Sequence, residues 1–294
     1  ENITDDKDDE KLVTTIITTP ERQMKQVLKI NKVYKYESVQ AKLECFIKDE
    51  EDFEQFVKYQ PPVREYDCSP IKAAKTMVGE KGILAPWVNG AFNSLTEMRK
   101  LDDAIMDAYT DPQFYHSMIE YFGSRALDAM KQFKNAGADV LSYTGNIGNA
   151  TLVGPRFFKD FILSYEKNLI NEIQDDSLHI LYHNCGDANS LIEIYNEVGF
   201  SAYESLTPPP YGDTDFDYAL RILDKGITLH GNIDQIDLLR KGSAGEIHAA
   251  VKTVLEKAKA RGNFILGTSD YINENTPVDS IKAFAEAGFK YGKY

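Results

Sequence analysis

From residue 80 onward, short apolar runs alternate with helical stretches at least five times. This rhythm constrains the fold more than any other feature of the chain. The apolar runs are Gly82–Val88, Asp139–Tyr143, Leu178–His183, Ser201–Ser205, Ile227–Gly231 and Asn263–Thr268. Helical periodicity fills the spaces between them. It is clearest after Asp111-Pro112, where Ile119, Phe122, Ala126, Met130 and Phe133 fall on one face. Further helices are predicted over Pro155–Gln174, Asn189–Val198, Asp215–Leu223, Gln235–Arg240, Gly245–Ala260 and Val278–Gly288. Strands that alternate with helices at this spacing read as parallel βα units. The expected class is α/β, as a TIM-type (β/α)8-like barrel. A doubly wound sheet fits less well, because no Gly-x-Gly-x-x-Gly follows a strand. About six helix-linked strands are visible, so the remaining barrel positions come from the N-terminal region or are missing.

That region has a different texture. Residues 1–12 are dominated by Asp, Glu and Lys and read as a disordered acidic arm. Residues 13–80 form an irregular β-rich segment, with short strands expected at Val13–Thr19, Gln26–Ile30 and Val39–Ile47. Residues 81–294 then make the barrel domain that carries the site. The formal net charge of -13 repels nucleic acid and anionic membrane, so neither is an expected partner. No apolar run approaches the roughly 18 residues of a membrane span. Three scattered cysteines cannot make a disulfide framework, and a reducing cytoplasm is the default location.

In a barrel the C-terminal ends of the strands converge on one mouth. Here those ends carry Trp87-Val88-Asn89, Tyr143-Thr144-Gly145-Asn146, His183-Asn184-Cys185, Glu204, His230-Gly231-Asn232 and Ser269-Asp270-Tyr271. His183 and Cys185 are two residues apart at a strand end. Side-chain alternation sets both on one side of the backbone, which suits two ligands of one zinc ion. A buried structural pair, or a Cys thiol activated by His183, is also compatible with that spacing. Glu204 lies in an apolar strand, where an acid needs a partner or a metal. Asp270 can ligate a metal, support a His, or cap a turn. His230 reads best as a structural His, and Asp234 as a helix N-cap or a ligand. The turn Thr144–Asn149 matches no strong phosphate motif and reads as a tight turn. The three prolines at 208–210 stiffen the loop that carries Tyr211.

Gly137-Ala138-Asp139, His183-Asn184-Cys185-Gly186, Gly231-Asn232-Ile233-Asp234 and Asn275-Thr276-Pro277 together resemble the uroporphyrinogen decarboxylase-like superfamily over roughly residues 80–294. The resemblance implies a TIM-type barrel with its site at the C-terminal mouth. It also implies one of two chemistries. True decarboxylases of this superfamily carry an Arg-Gln-Ala-Gly-Arg segment and need no metal, and this chain has no such segment. The other branch resembles the corrinoid-dependent methyltransferases, where zinc is held by His-x-Cys and a later Cys. His183 and Cys185 match the first two ligands. The later Cys falls at or near Asp270, so this chain departs from the pattern there, and either Asp270 or Glu204 completes the metal set.

The expected function is therefore a zinc-dependent methyltransferase. It moves a methyl group between a small methylated substrate or acceptor and the cobalt of a separate corrinoid (cobalamin) protein. Expected metal residues are His183, Cys185, Asp270 and Glu204. Glu204, Tyr143 and Asn146 are expected at the reacting centre, and Trp87, Asn232 and Tyr211 at the cofactor. Zinc and a partner-borne corrinoid are the expected cofactors, and a homodimer is left open. The alternatives are a metal-free uroporphyrinogen-type decarboxylase and a non-catalytic barrel that binds a corrinoid or tetrapyrrole.

Overall fold

A computed structural model describes residues 2–7 and 9–293 of the chain. Its N-terminal part is an antiparallel meander in the order β1-β2-β3-β4, formed by β1 (Asn2–Lys7), β2 (Glu10–Thr18), β3 (Gln23–Lys32) and β4 (Ser38–Glu44). The expected disordered arm over residues 1–12 is thus corrected, with Glu1 and Asp8 outside the described residues. Its residues form strand instead, with Ile3 opposite Thr14 and Thr4 opposite Val13. The physical reason is the edge of β2. An unpaired row of N–H and C=O groups recruits even a polar neighbour, and a composition argument does not see that edge.

The second sheet has six parallel strands: β5 (Trp87–Asn89), β6 (Val140–Thr144), β7 (His179–His183), β8 (Ala202–Ser205), β9 (Thr228–Ile233) and β10 (Phe264–Thr268). They lie side by side in chain order, β5 to β10. Every crossover therefore steps to the next strand, and the order never reverses as it does in a doubly wound sheet. Outward-facing side chains such as Leu141, Tyr182, Tyr203 and Leu229 are fully buried under the helices. Each such side chain contributes about 1.5–3 kcal/mol relative to exposure.

The helix Pro112–Asn135 begins on a true cap, with Asp111 accepting from Phe114 N, and buries Phe114, Met118, Ile119, Phe122 and Met130. The helix expected over Pro155–Gln174 is instead broken into Gly154–Phe157, a π-turn at Phe158–Ile162, and Leu163–Ile173. The one expected over Asn189–Val198 shrinks to Ile192–Tyr195 behind a 3-10 turn. Among the described residues no helix is long and apolar enough to cross a membrane.

One continuous core joins the two sheets. Met24, Phe46, Ile47 and Phe53 pack in the same cluster as Leu141 and Tyr182. Arg99 locks this junction. Its Nε and Nη2 donate to Asp107 at 2.8 and 2.9 Å, and its Nη1 donates to the Ile47 carbonyl at 3.3 Å. The β3–β4 turn reaches the far side of the larger sheet. There Tyr36 N donates to Glu274 at 2.6 Å and Arg240 donates to the Tyr34 hydroxyl at 2.6 Å. The meander thus holds the segment that follows Asp270.

Candidate metal centre

Strand register decides which side chains meet. His183, Glu204 and His230 stand abreast on β7, β8 and β9. Because side chains alternate, all three project to the face opposite their buried neighbours Tyr182, Tyr203 and Leu229. Glu204 bridges the two imidazoles, with Oε1 2.9 Å from His183 Nδ1 and Oε2 3.2 Å from His230 Nδ1. Ser205 Oγ lies 3.4 Å from His183 Nδ1. The imidazole, thiol and carboxylate of His183, Cys185 and Asp270 each offer a ligand atom, all within 4.8 Å of one another. Glu204 stands outside that group of three.

His183, Glu204, His230 and Asp270 line a cavity of about 300 Å³ with Trp87, Ser205, Ser269 and Tyr271. Trp87 meets the His183 ring edge-on at 5.3 Å. No Lys or Arg lines the cavity among the described residues. The close set of charges shifts both partners of the central pair. Burial pushes Glu204 upward, but hydrogen bonds and charge from His183 and His230 win and hold it at about 2. Burial likewise pushes His183 down, but Cys185 and Glu204 outweigh it and carry the imidazole to about 10.

Two glycines make this packing feasible. A Cβ on Gly267 would sit 2.1 Å from His230 Nε2, so only glycine lets the ring lie across β10. Gly231 has φ +147, and a Cβ there would lie 2.6 Å from the Ser205 carbonyl. That close approach lets β9 follow β8.

Four of the expected site residues lie elsewhere. Tyr143 is abreast of Tyr182, so parity points it outward under the helices. It is fully buried, and its hydroxyl is bonded to Glu166. Asn146 accepts from Asn93 Nδ2 at 2.8 Å and does not line the cavity. Asn232 is buried and donates to the Leu206 carbonyl at 3.3 Å. Tyr211 donates to Asp237 at 2.9 Å on the outer surface. Asp234 caps the turn that follows it through Ile236 N and Asp237 N.

His230, expected as a structural His, shares Glu204 and faces the cavity. One buried group lies outside the sequence reading. Glu166 had a legible signal. Leu163, Glu166, Ile170 and Ile173 lie on one helical stripe and are all buried, so an acid stands where a hydrophobe belongs. Its carboxylate accepts from Phe92 N at 3.2 Å, at the start of the helix Ala91–Met98, whose N-cap Gly90 offers no side chain.

Comparison with known proteins agrees with this architecture. The chain is 21% identical over 223 residues to the methylcobamide:CoM methyltransferase MtbA of Methanosarcina mazei, covering 75% of this chain and 63% of that protein. It is 22% identical over 224 residues to the methylcobamide:CoM methyltransferase MtaA of Methanosarcina barkeri, covering 75% and 62%. The chain therefore spans under two thirds of the length of these relatives. Among solved structures, a methyltransferase from Methanosarcina mazei superposes with a TM-score of 0.71 at 16% identity, over 90% of this chain and 75% of that one. A B12-independent methionine synthase from Shewanella superposes with a TM-score of 0.57 at 11% identity, over 94% and 74%. At these identities the structural likeness speaks to the fold. The model of the uroporphyrinogen decarboxylase (URO-D) family matches residues 25–291, which is nearly the whole chain, and the protein belongs to that family.

Proposed function

We propose that this protein is a zinc-dependent methyltransferase that exchanges a methyl group between a small methylated compound or acceptor and the cobalt of a corrinoid carried by a separate protein. The names of its curated relatives support this reading. The observation that carries it is the nitrogen, sulfur and oxygen trio of His183, Cys185 and Asp270 within 4.8 Å. Ligand atoms around a tetrahedral zinc stand about 3.3–3.8 Å apart, given its usual bond lengths. The trio needs only a small contraction, and the donor set suits zinc. Asp270 then occupies the place where the family pattern has a later Cys. We further read the sheet as part of a TIM-type barrel, because its strands run in chain order and residues from both β5 and β10 reach one cavity.

In this reading Glu204 is a supporting carboxylate. It accepts from His183 Nδ1, fixes the tautomer and leaves Nε2 for the metal. His230 holds the other oxygen of Glu204 and limits its motion. The metal, when bound, supplies Lewis acidity at the heteroatom whose bond to methyl breaks or forms. Trp87 and Tyr271 wall the cavity at its open side. Among the described residues no Lys or Arg lines the cavity, which favours this reading over a decarboxylase of polycarboxylates, whose substrate needs cations at the reacting end. The test is zinc analysis of the purified protein beside methyl transfer with free cobalamin. We expect bound zinc in the wild type, and loss of both metal and transfer in His183→Ala. Zinc-free protein with undiminished transfer would sink the proposal.

A further inference from the structure

Glu204 steadies His183, but the third donor of the trio has no such support. Among the described residues the Asp270 carboxylate accepts one hydrogen bond, from Tyr271 N at 2.8 Å, which ties it to its chain neighbour and not to the sheet. Its backbone therefore sets its reach. On the upstream side Ser269 is fixed to β9, with its N donating to the Ile233 carbonyl at 2.9 Å and its Oγ to Gln235 at 2.8 Å. On the downstream side Tyr271 and Ile272 are exposed, and the next anchor is Glu274, four residues beyond Asp270. That anchor comes from the turn between β3 and β4. Glu274 N donates to the Glu37 carboxylate, and Tyr36 N donates to the Glu274 carboxylate at 2.6 Å. Arg240 completes the grip, donating to the Tyr34 hydroxyl at 2.6 Å and lying over that ring at 5.2 Å. The other end of the same hairpin is fixed on the far edge of the parallel sheet. Gln26 donates to the Glu97 carbonyl at 2.9 Å, and Lys42 donates to the Thr96 carbonyl at 3.1 Å and pairs with the Glu97 carboxylate at 2.6 Å. Both acceptors lie in the helix Ala91–Met98, which follows β5. β5 and β10 are the two edge strands of that sheet. β3 has ten residues, about 33 Å at the usual rise, so one hairpin reaches both edges.

We propose that the β3–β4 hairpin is a clasp that joins the two edges of the parallel sheet and sets Asp270 at ligand distance from His183 and Cys185, with Glu37 and Glu274 as its positioning residues. The clasp rests on the metal reading of that trio. Its contribution is preorganisation. A segment held at Ser269 and at Glu274 has already lost its freedom before the metal arrives, so the ordering cost is not subtracted from metal affinity. A segment held at Ser269 alone must be ordered by the metal itself. The coupling is reciprocal by linkage. If the closed clasp strengthens metal binding by some factor, bound metal favours the closed clasp by the same factor.

The experiment titrates metal-free protein with cobalt(II), whose charge-transfer band with the Cys185 thiolate reports binding by absorbance. Two double variants are compared. Glu37→Gln with Glu274→Gln keeps a carbonyl acceptor on each side chain, and Glu37→Ala with Glu274→Ala removes it. Both pairs lack the two negative charges, so their difference reads the hydrogen bonds and not the attraction of carboxylates for a cation. The alanine pair should bind cobalt about tenfold more weakly than the glutamine pair, within the usual range for coupling between sites. A second measurement needs no variant. Hydrogen exchange at the Tyr36 and Glu274 amides of the wild type should slow by about the same tenfold factor when cobalt is bound. Equal cobalt affinities in the two pairs, or exchange at these amides that ignores cobalt, overturn the clasp. The wild-type charge-transfer band then still upholds the metal reading. A wild type without that band refutes the metal reading, and the clasp with it.

Discussion

Glu166 offers a test that reaches behind the metal centre. It is 1% exposed, and its carboxylate is held by the Tyr143 hydroxyl and by Phe92 N at the start of the helix Ala91–Met98. Burial raises its pKa from 4.5 to about 7, and the hydrogen bonds from Tyr143 and the backbone only partly offset that. The sign follows from linkage. Between 4.5 and about 7 the folded protein keeps a proton that the unfolded chain releases. The stabilisation is therefore fully present below 4.5 and is lost as the pH climbs through 7. At about 1.4 kcal/mol per pKa unit, the loss amounts to about 3 kcal/mol. Glu166→Gln keeps the shape and most of the hydrogen bonds but cannot ionise. In urea unfolding, the variant should be up to about 2 kcal/mol less stable than the wild type at pH 5, where its amide N–H groups lack acceptors. It should match or exceed the wild type at pH 8. His183, which is held at about 10, also loses stabilisation between pH 6.5 and 10, but it does so in both proteins and cancels in their difference. A wild type and a variant with parallel pH profiles would refute the reasoning, because Glu166 would then not titrate within the window.

Other expectations follow from the same geometry. Gly267→Ala places a Cβ 2.1 Å from His230 Nε2 and should displace that ring, at about 1–3 kcal/mol of stability. A chelator competition should show weaker zinc binding in that variant as Glu204 loses its second partner, and unchanged binding would show that His230 does not steady Glu204. Glu204→Gln should lower zinc affinity by about 10–100-fold without abolishing it, as loss of a supporting carboxylate does. A complete loss would mean that Glu204 itself ligates the metal. Glu204 is held at about 2, so its contribution to stability is present above 4.5 and is lost as pH falls from 4.5 through 2, and acid unfolding of Glu204→Gln should lack that component. Asp107→Ala leaves Arg99 buried without its carboxylate and should cost about 3–5 kcal/mol in urea unfolding.

The sequence by itself determined the alternation of strand and helix from β5 to β10. Periods of two and of 3.6 residues are local properties, so the six strands and the long helix Pro112–Asn135 appear wherever the chain is read. The His183-x-Cys185 spacing is local too, and two donors of that type at a strand end point to one metal before any partner is known. The N-terminal strand escaped because pairing depends on the edge of β2, which no composition records. What only the tertiary structure decided was parity and distance. Tyr143 and His183 both lie at strand ends, yet the parallel register sets Tyr143 abreast of Tyr182, beneath the helices, and sets Glu204 abreast of His183, in the cavity. A shift of one residue would exchange those faces. Asp270 is 85 residues beyond Cys185 in the chain, and only the winding of the sheet brings it within ligand distance. Local chemistry names the candidate donors, and long-range closure selects among them, because one metal ion must touch all of its ligands at once.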